Sequence, residues 1–209
     1  MSQETEYLPW RTGINRLSYV IDMLESTIAF GRFQTYLVKL VEPIYTKLGW
    51  VEKDDDSWLE KQLRSIILSF ACTRGVPDCV SKSKQYYSEW MNLNGSSNSI
   101  PTNYRSFVYC TGIREGGEKE WSFASDQYLK ETDANIKNTL QAAMSCSRIP
   151  WIISKFLNNQ IDTNIVRQQD ALSGLRSAAT KAESNLKTWY FIKDNWELLF
   201  ERFNLFDFK

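Results

Sequence analysis

The stretch Phe30–Leu48, FGRFQTYLVKLVEPIYTKL, decides the fold class. Phe30, Phe33, Leu37, Leu40, Ile44 and Leu48 recur at intervals of three and four residues. That period puts them on one side of a 3.6-residue helix for about five turns. Working outward, Ile14, Leu17, Ile21 and Leu24 repeat the pattern before it, and Leu59, Leu63, Ile66, Ile67 and Phe70 after it. Weaker stripes follow: Val80, Tyr87, Trp90 and Met91; Ile136, Leu140 and Ala143; Ile149, Ile152, Ile153 and Phe156; Leu172, Leu175 and Ala179. Trp189, Ile192, Trp196, Leu199 and Phe203 form the last. Sustained two-residue alternation is hard to find. Ser106–Cys110 is the best strand candidate, and it is short enough to be a buried helical turn instead. The expectation is an all-α chain of nine or ten helices in antiparallel pairs, either a bundle or a solenoid. No clean internal repeat selects the solenoid.

Punctuation agrees. Pro9, Pro77 and Pro150 stand where helices can begin, since proline has no amide to lose in a first turn. Ser57 and Glu60 spell a capping box, and Gly49 follows Leu48 as a helix stop. Asp54, Asp55 and Asp56 precede that capping box, where negative charge suits the helix dipole; the run reads as a solvated cap. Asn92–Asn103, with Gly95 and Pro101, is the clearest loop, and Gly116-Gly117 marks another break.

Composition limits function. The 209 residues carry 25 basic and 25 acidic side chains, so the net charge is zero. A nucleic-acid binder needs a basic surplus, so no nucleic-acid partner is expected. A hydrophobic share of 43% and an aromatic share of 14% exclude a mostly disordered chain. A folded chain of this size hides roughly 70% of its unfolded surface, enough for a core within a single domain over 1–209. The sequence contains no histidine. Without it no Ser-His-Asp or Cys-His nucleophile, no HExxH zinc helix and no His-bearing zinc finger can be built. Nor is there a GxGxxG turn or a GxxxxGK[ST] loop. Met1 to Glu6 lacks the basic-then-apolar order of a signal peptide, and no window of eighteen uncharged apolar residues exists, so no membrane span is expected.

Cys72, Cys79, Cys110 and Cys146 lack the paired CxxC spacing of a zinc site. Gly75 and Pro77 allow the chain to turn between the first two. Spacing alone leaves free buried thiols and disulfides both open. Asn94-Gly95-Ser96 is a glycosylation sequon in the loop, making Asn94 the candidate acceptor. Arg167 and Asp170 can pair at i, i+3. Trp121, Trp151, Trp189 and Trp196 read as inter-helix packing.

Several segments taken together resemble a known family. They are EYLPW (Glu6–Trp10), ACTRGVPDC (Ala71–Cys79), RSFVYCTGIREGGEKEWSFASDQY (Arg105–Tyr128), AAMSCSRIPWIISKFLNNQID (Ala142–Asp162), IVRQQD (Ile165–Asp170) and NWELLF (Asn195–Phe200). In this order they resemble the C-terminal helical domain of the aminopeptidase N-like zinc aminopeptidases, from Tyr7 to about Phe203. The CxxGxPxC hairpin and the VYC…GGEKEW stretch are the most specific marks.

The resemblance implies a HEAT-like, armadillo-like curved array of stacked helix pairs that helps enclose an active-site chamber and gate peptide access. It implies that catalysis and zinc belong to a parent metallo-aminopeptidase, with neither catalytic residue nor cofactor here. The partners implied are the upstream catalytic domain, peptide substrate indirectly, and a possible homodimer; a docking surface for other proteins is the alternative. It implies the bridges Cys72–Cys79 and Cys110–Cys146, and hence a glycosylated extracellular or cell-surface location with any anchor outside this chain. Arg105, Arg114, Arg148, Arg167 and Arg176 become candidate peptide-facing residues, since a guanidinium suits a peptide carboxylate. The family domain usually runs on for several helices, so the chain reads as part of it.

Overall fold

The structure is a computed structural model, and it describes residues 4–203. The polar start and the last part of the 1–209 span therefore lie partly outside the described residues. Among those residues all regular structure is helical: α1 (Tyr7–Leu24), α2 (Phe30–Leu48), α3 (Trp58–Thr73), α4 (Pro77–Asn92), α5 (Arg105–Arg114), α6 (Glu118–Lys130), α7 (Ala134–Met144), α8 (Pro150–Ile161), α9 (Gln168–Ala179), α10 (Asn185–Asp194) and α11 (Trp196–Phe203). A short 3-10 turn, Thr102–Tyr104, precedes α5. The all-α expectation holds. Ser106–Cys110, the strand candidate, lies wholly inside α5.

The starts and stops are local chemistry. Ser57 Oγ accepts the Glu60 amide at 3.3 Å and Glu60 Oε2 accepts the Ser57 amide at 2.8 Å, completing the capping box of α3. Gly49 ends α2 at φ +59°. At the end of α3 the Gly75 amide donates to the Cys72 carbonyl (3.1 Å) and the Val76 amide to the Ala71 carbonyl (3.0 Å). This is a Schellman stop, and the φ of +82° at Gly75 is the left-handed value it requires.

The chain divides into two compact units, one running through Glu89 and adding Ser99–Thr111, the other comprising Trp90–Asn98 and the residues from Gly112 on. In the first unit Trp10, Leu37, Val41, Leu63, Ile67, Leu68 and Val108 are fully or almost fully buried. An aromatic cluster closes the loop after α2: the Trp50 ring lies 5.5 Å from Tyr86, 6.0 Å from Tyr104 and 5.8 Å from Phe107. In the second unit the core is Trp121, Ala124, Leu140, Ile152, Phe156, Leu157, Ala171, Leu175 and Ala178. Trp121 Nε1 donates to the Met144 carbonyl at 3.1 Å, so its polar atom is satisfied inside.

The buried face of α9 differs from the expected stripe. Leu172 is 46% exposed, and Ala171, Gly174, Leu175 and Ala178 face inward instead. The small residues win because Gly174 lies directly against the Gln160 side chain, where nothing larger fits. Trp151, Trp189 and Trp196 are 50%, 63% and 51% exposed, so of the four rings read as packing only Trp121 is interior. The final stripe is broken at Asn195 into α10 and α11, which is why its two tryptophans do not share one buried face.

Candidate functional site

Four of the five arginines singled out from sequence already hold a hydrogen-bond or ion-pair partner. In the second unit Arg114 Nε meets Glu115 Oε1 at 2.8 Å, and the same carboxylate oxygen accepts from Arg148 Nη1 at 3.3 Å. Arg148 Nε also donates to Glu183 Oε1 at 2.9 Å. The result is a charge chain, Arg114–Glu115–Arg148–Glu183, that ties the end of α5 to the α7–α8 and α9–α10 connections. Its charges sum to zero, so a peptide carboxylate arriving at Arg148 competes with two protein carboxylates. Arg167 Nε donates to Asp170 Oδ2 at 2.6 Å, the i, i+3 pair its spacing allows. Arg105 Nε, in the first unit, donates to the Ile100 carbonyl at 3.2 Å. Arg176 sits exposed in the last turn of α9 and has no ion pair among the described residues.

The structure adds a charged centre that sequence reading passed over. Arg64 on α3 is 2% exposed and donates to the Leu48 carbonyl at 3.0 Å and to Asp56. Asp56 is thus more than a solvated cap: its carboxylate also accepts the Lys53 amide at 2.8 Å. That amide, followed by the Arg64 guanidinium, holds its carboxyl below the usual carboxylate range. The signal was Arg64 itself, a charged residue one step from Leu63 on the stripe that α3 buries.

A second polar cluster lines a cleft of about 440 Å³ beside the α3–α4 turn. Trp50 Nε1 donates to Tyr45 Oη at 3.0 Å, and Tyr45 Oη donates to Asp78. Lys82 Nζ lies 3.1 Å from the same Asp78 oxygen, one turn along α4. Burial, then the Asp78 carboxylate, pushes the Tyr45 hydroxyl well above its ordinary range. The Tyr45 hydroxyl, then Lys82, holds Asp78 below its own.

Next to this cleft Cys72 and Cys79 form a disulfide with Cα atoms 5.0 Å apart. Cys110 and Cys146 are disulfide-bonded as well, and no cysteine is free. Asn94 is exposed and stands in the left-handed region at φ +50°, and Ser96 Oγ donates to the Leu93 carbonyl at 2.6 Å. Among the described residues no three His, Cys, Asp or Glu side chains converge as a metal site, and oxidised cysteines are poor zinc ligands. The described residues therefore do not fit a zinc ion.

The helices and their polar ties define an all-α domain whose charged groups lock one segment to another. The chain belongs to the ERAP1-like C-terminal domain family, which it matches over residues 1–208. It is 34% identical to aminopeptidase N of Rattus norvegicus and 35% to aminopeptidase N of Canis lupus familiaris. Each match covers 96% of this chain and 21% of the relative. Identity to glutamyl aminopeptidase of Rattus norvegicus is 30%, over 99% of this chain and 22% of that protein. The chain thus spans about a fifth of the length of these relatives.

Proposed function

We propose that this chain is a non-catalytic wall of a zinc aminopeptidase, one domain over 1–209, which helps enclose the active-site chamber and limits peptide access. The observation that carries this reading is the match of nearly the whole chain to a fifth of proteins named as aminopeptidases. Zinc and the cleavage of N-terminal residues then belong to the rest of the parent protein. Its location is extracellular, a reading supported by oxidised cysteines and the exposed Asn94 sequon, with Asn94 the glycan acceptor. The second bridge joins Cys110 to Cys146. Arg176 is the strongest candidate for meeting a peptide carboxylate; Arg105, Arg114, Arg148 and Arg167 are held by partners within the chain.

The test compares the parent enzyme with and without this segment on an aminoacyl anilide and on a long peptide. Loss of the segment is expected to change the ratio of the two kcat/KM values at least several-fold. An unchanged ratio removes the gating role. The purified 209-residue chain with added zinc is expected to release no product from the anilide.

A second reading, an interaction surface, is favoured by the open aromatic face of α10 and α11, where Trp189, Tyr190 and Trp196 are all at least half exposed. Sedimentation tests it: a homodimer abolished by Trp189→Lys supports it, and a monomer at high concentration counts against it.

A further inference from the structure

We propose that Asn94 and Gly95 form a self-modifying site, in which Asn94 loses its side-chain amide as ammonia wherever no glycan covers it. Asn94-Gly95 is the one asparagine–glycine step in the sequence. It stands just past the end of α4, where Asn94 is exposed and left-handed at φ +50°. Among the described residues nothing hydrogen-bonds the Asn94 side-chain amide.

The chemistry needs only these two residues and water. When the Gly95 amide gives up its proton, its nitrogen can attack Cγ of Asn94. The new N–Cγ bond closes a five-membered succinimide, the Cγ–Nδ2 bond breaks, and Nδ2 takes up the proton and leaves as ammonia. Water then opens the ring at either carbonyl. Attack at Cγ gives aspartate. Attack at the backbone carbonyl of Asn94 gives isoaspartate, with the chain rerouted through Cβ.

The turn exposes the attacking atom. Glycine carries no Cβ to crowd that nitrogen. The Gly95 amide donates to the Trp90 carbonyl at 3.3 Å, longer than the roughly 2.7–3.2 Å of an ordinary N–H···O bond. The neighbouring bonds, Asn94 to the Met91 carbonyl and Ser96 to the Leu93 carbonyl, are both 2.9 Å. The nucleophile is thus held by the weakest bond of the turn, on an exposed loop, where local opening costs least. Asn98 shares the loop, but Ser99 follows it and its Cβ crowds the nitrogen. Asn138, Asn158 and Asn159 lie within helices, where the next amide is bonded along the ladder.

Either product exchanges a neutral amide for a carboxylate, so a net charge of zero becomes one negative. Isoaspartate also adds a backbone atom to the turn, next to Gly95, which lies against the Gln127 side chain of α6. A glycan attaches through Nδ2, the nitrogen that leaves, so glycosylation and ring closure exclude each other. That exclusion rests on Asn94 being the glycan acceptor, as proposed above; ring closure itself does not.

The test uses the 209-residue chain made in bacteria, and so without an N-glycan, held for days at mildly alkaline pH and body temperature. Peptide mapping by mass spectrometry, with isoaspartate labelled by protein isoaspartyl methyltransferase, follows each asparagine. Asn94 is expected to convert severalfold faster than any other, to yield aspartate and isoaspartate together, and to speed up in proportion to hydroxide. Secreted from animal cells behind a signal peptide, the unaltered chain is expected to keep Asn94 under its glycan. Ser96→Ala, which removes the sequon and keeps Asn94-Gly95, is expected to accumulate both products in the same cells.

An Asn94 that stays intact in the bacterial chain overturns the proposal. So does aspartate without isoaspartate, because direct hydrolysis forms no ring. Should the secreted chain carry no glycan at Asn94, the glycan reading falls, and conversion of Asn94 in that same chain supports ring closure.

Discussion

The Arg64 guanidinium, buried in α3, reaches both the carbonyl of Leu48 at the end of α2 and the carboxylate of Asp56 in the loop that follows. One cation thereby fixes the loop between two helices from inside.

Removing that cation strands a carboxylate and a carbonyl. Arg64→Ala is expected to cost about 3 kcal/mol and lower Tm by roughly 6–12 °C, the scale for losing one partner of a buried pair in a chain of this size. The double variant Arg64→Met, Asp56→Leu is expected to regain much of the loss, because it leaves no unpaired charge. Thermal melts of both decide it; a single variant as stable as the parent chain removes the pair from the list of stabilising contacts.

Acid is expected to weaken the fold through Asp78 and Asp56. Each holds its proton less tightly when folded, so its contribution is complete above the ordinary carboxylate value, about pH 4, and disappears as pH falls through the lower folded value. Tm is therefore expected to be flat between about pH 7 and 5 and to drop below about pH 4. Asp78→Asn lowers Tm at neutral pH and converges on the parent curve only at pH below the lowered folded value of Asp78. Parallel curves at all pH values contradict this.

Replacing Cys72 and Cys79 together by serine releases a short loop, expected to cost about 2.5 kcal/mol by chain entropy. Non-reducing peptide mapping is expected to recover the Cys72 peptide with that of Cys79, and the Cys110 peptide with that of Cys146. A Cys110 peptide joined to anything else refutes the second bridge.

Gly174 has no room for a methyl group. A Cβ there comes within 2.0 Å of Gln160 Oε1 and 2.8 Å of Gln141 Nε2, the two atoms that bond to each other at 2.8 Å. Gly174→Ala is expected to destabilise by about 1–3 kcal/mol despite alanine's better helix propensity. Chemical denaturation measures it; a stabilised variant means the glutamines move aside freely.

What the sequence made legible was local. Ser57 with Glu60, Gly49, Pro77 and Pro150 each solve a backbone problem within a few residues, and all four stand where helices start or stop. The face of α9 was not legible, because its inward residues are small and the conspicuous Leu172 points out. Ring size misled in the same way for Trp151, Trp189 and Trp196, since an amphipathic stripe does not say what covers it. Arg64 and the Gln141–Gln160 pair escaped because a polar residue looks like surface until its partners, distant in sequence, are in place. Of the five arginines, only the Arg167–Asp170 contact lay within reach of spacing, being one turn of a single helix.

The Cys72–Cys79 link also governs how damage to this molecule becomes visible. The α3–α4 turn lies inside the covalent ring, so a protease that cuts between those two residues leaves both fragments on one particle. Such a nicked molecule migrates as intact on a gel run without reductant and separates into two bands only when thiol is added. Purity judged in the oxidised state alone would overstate how much of the preparation is whole.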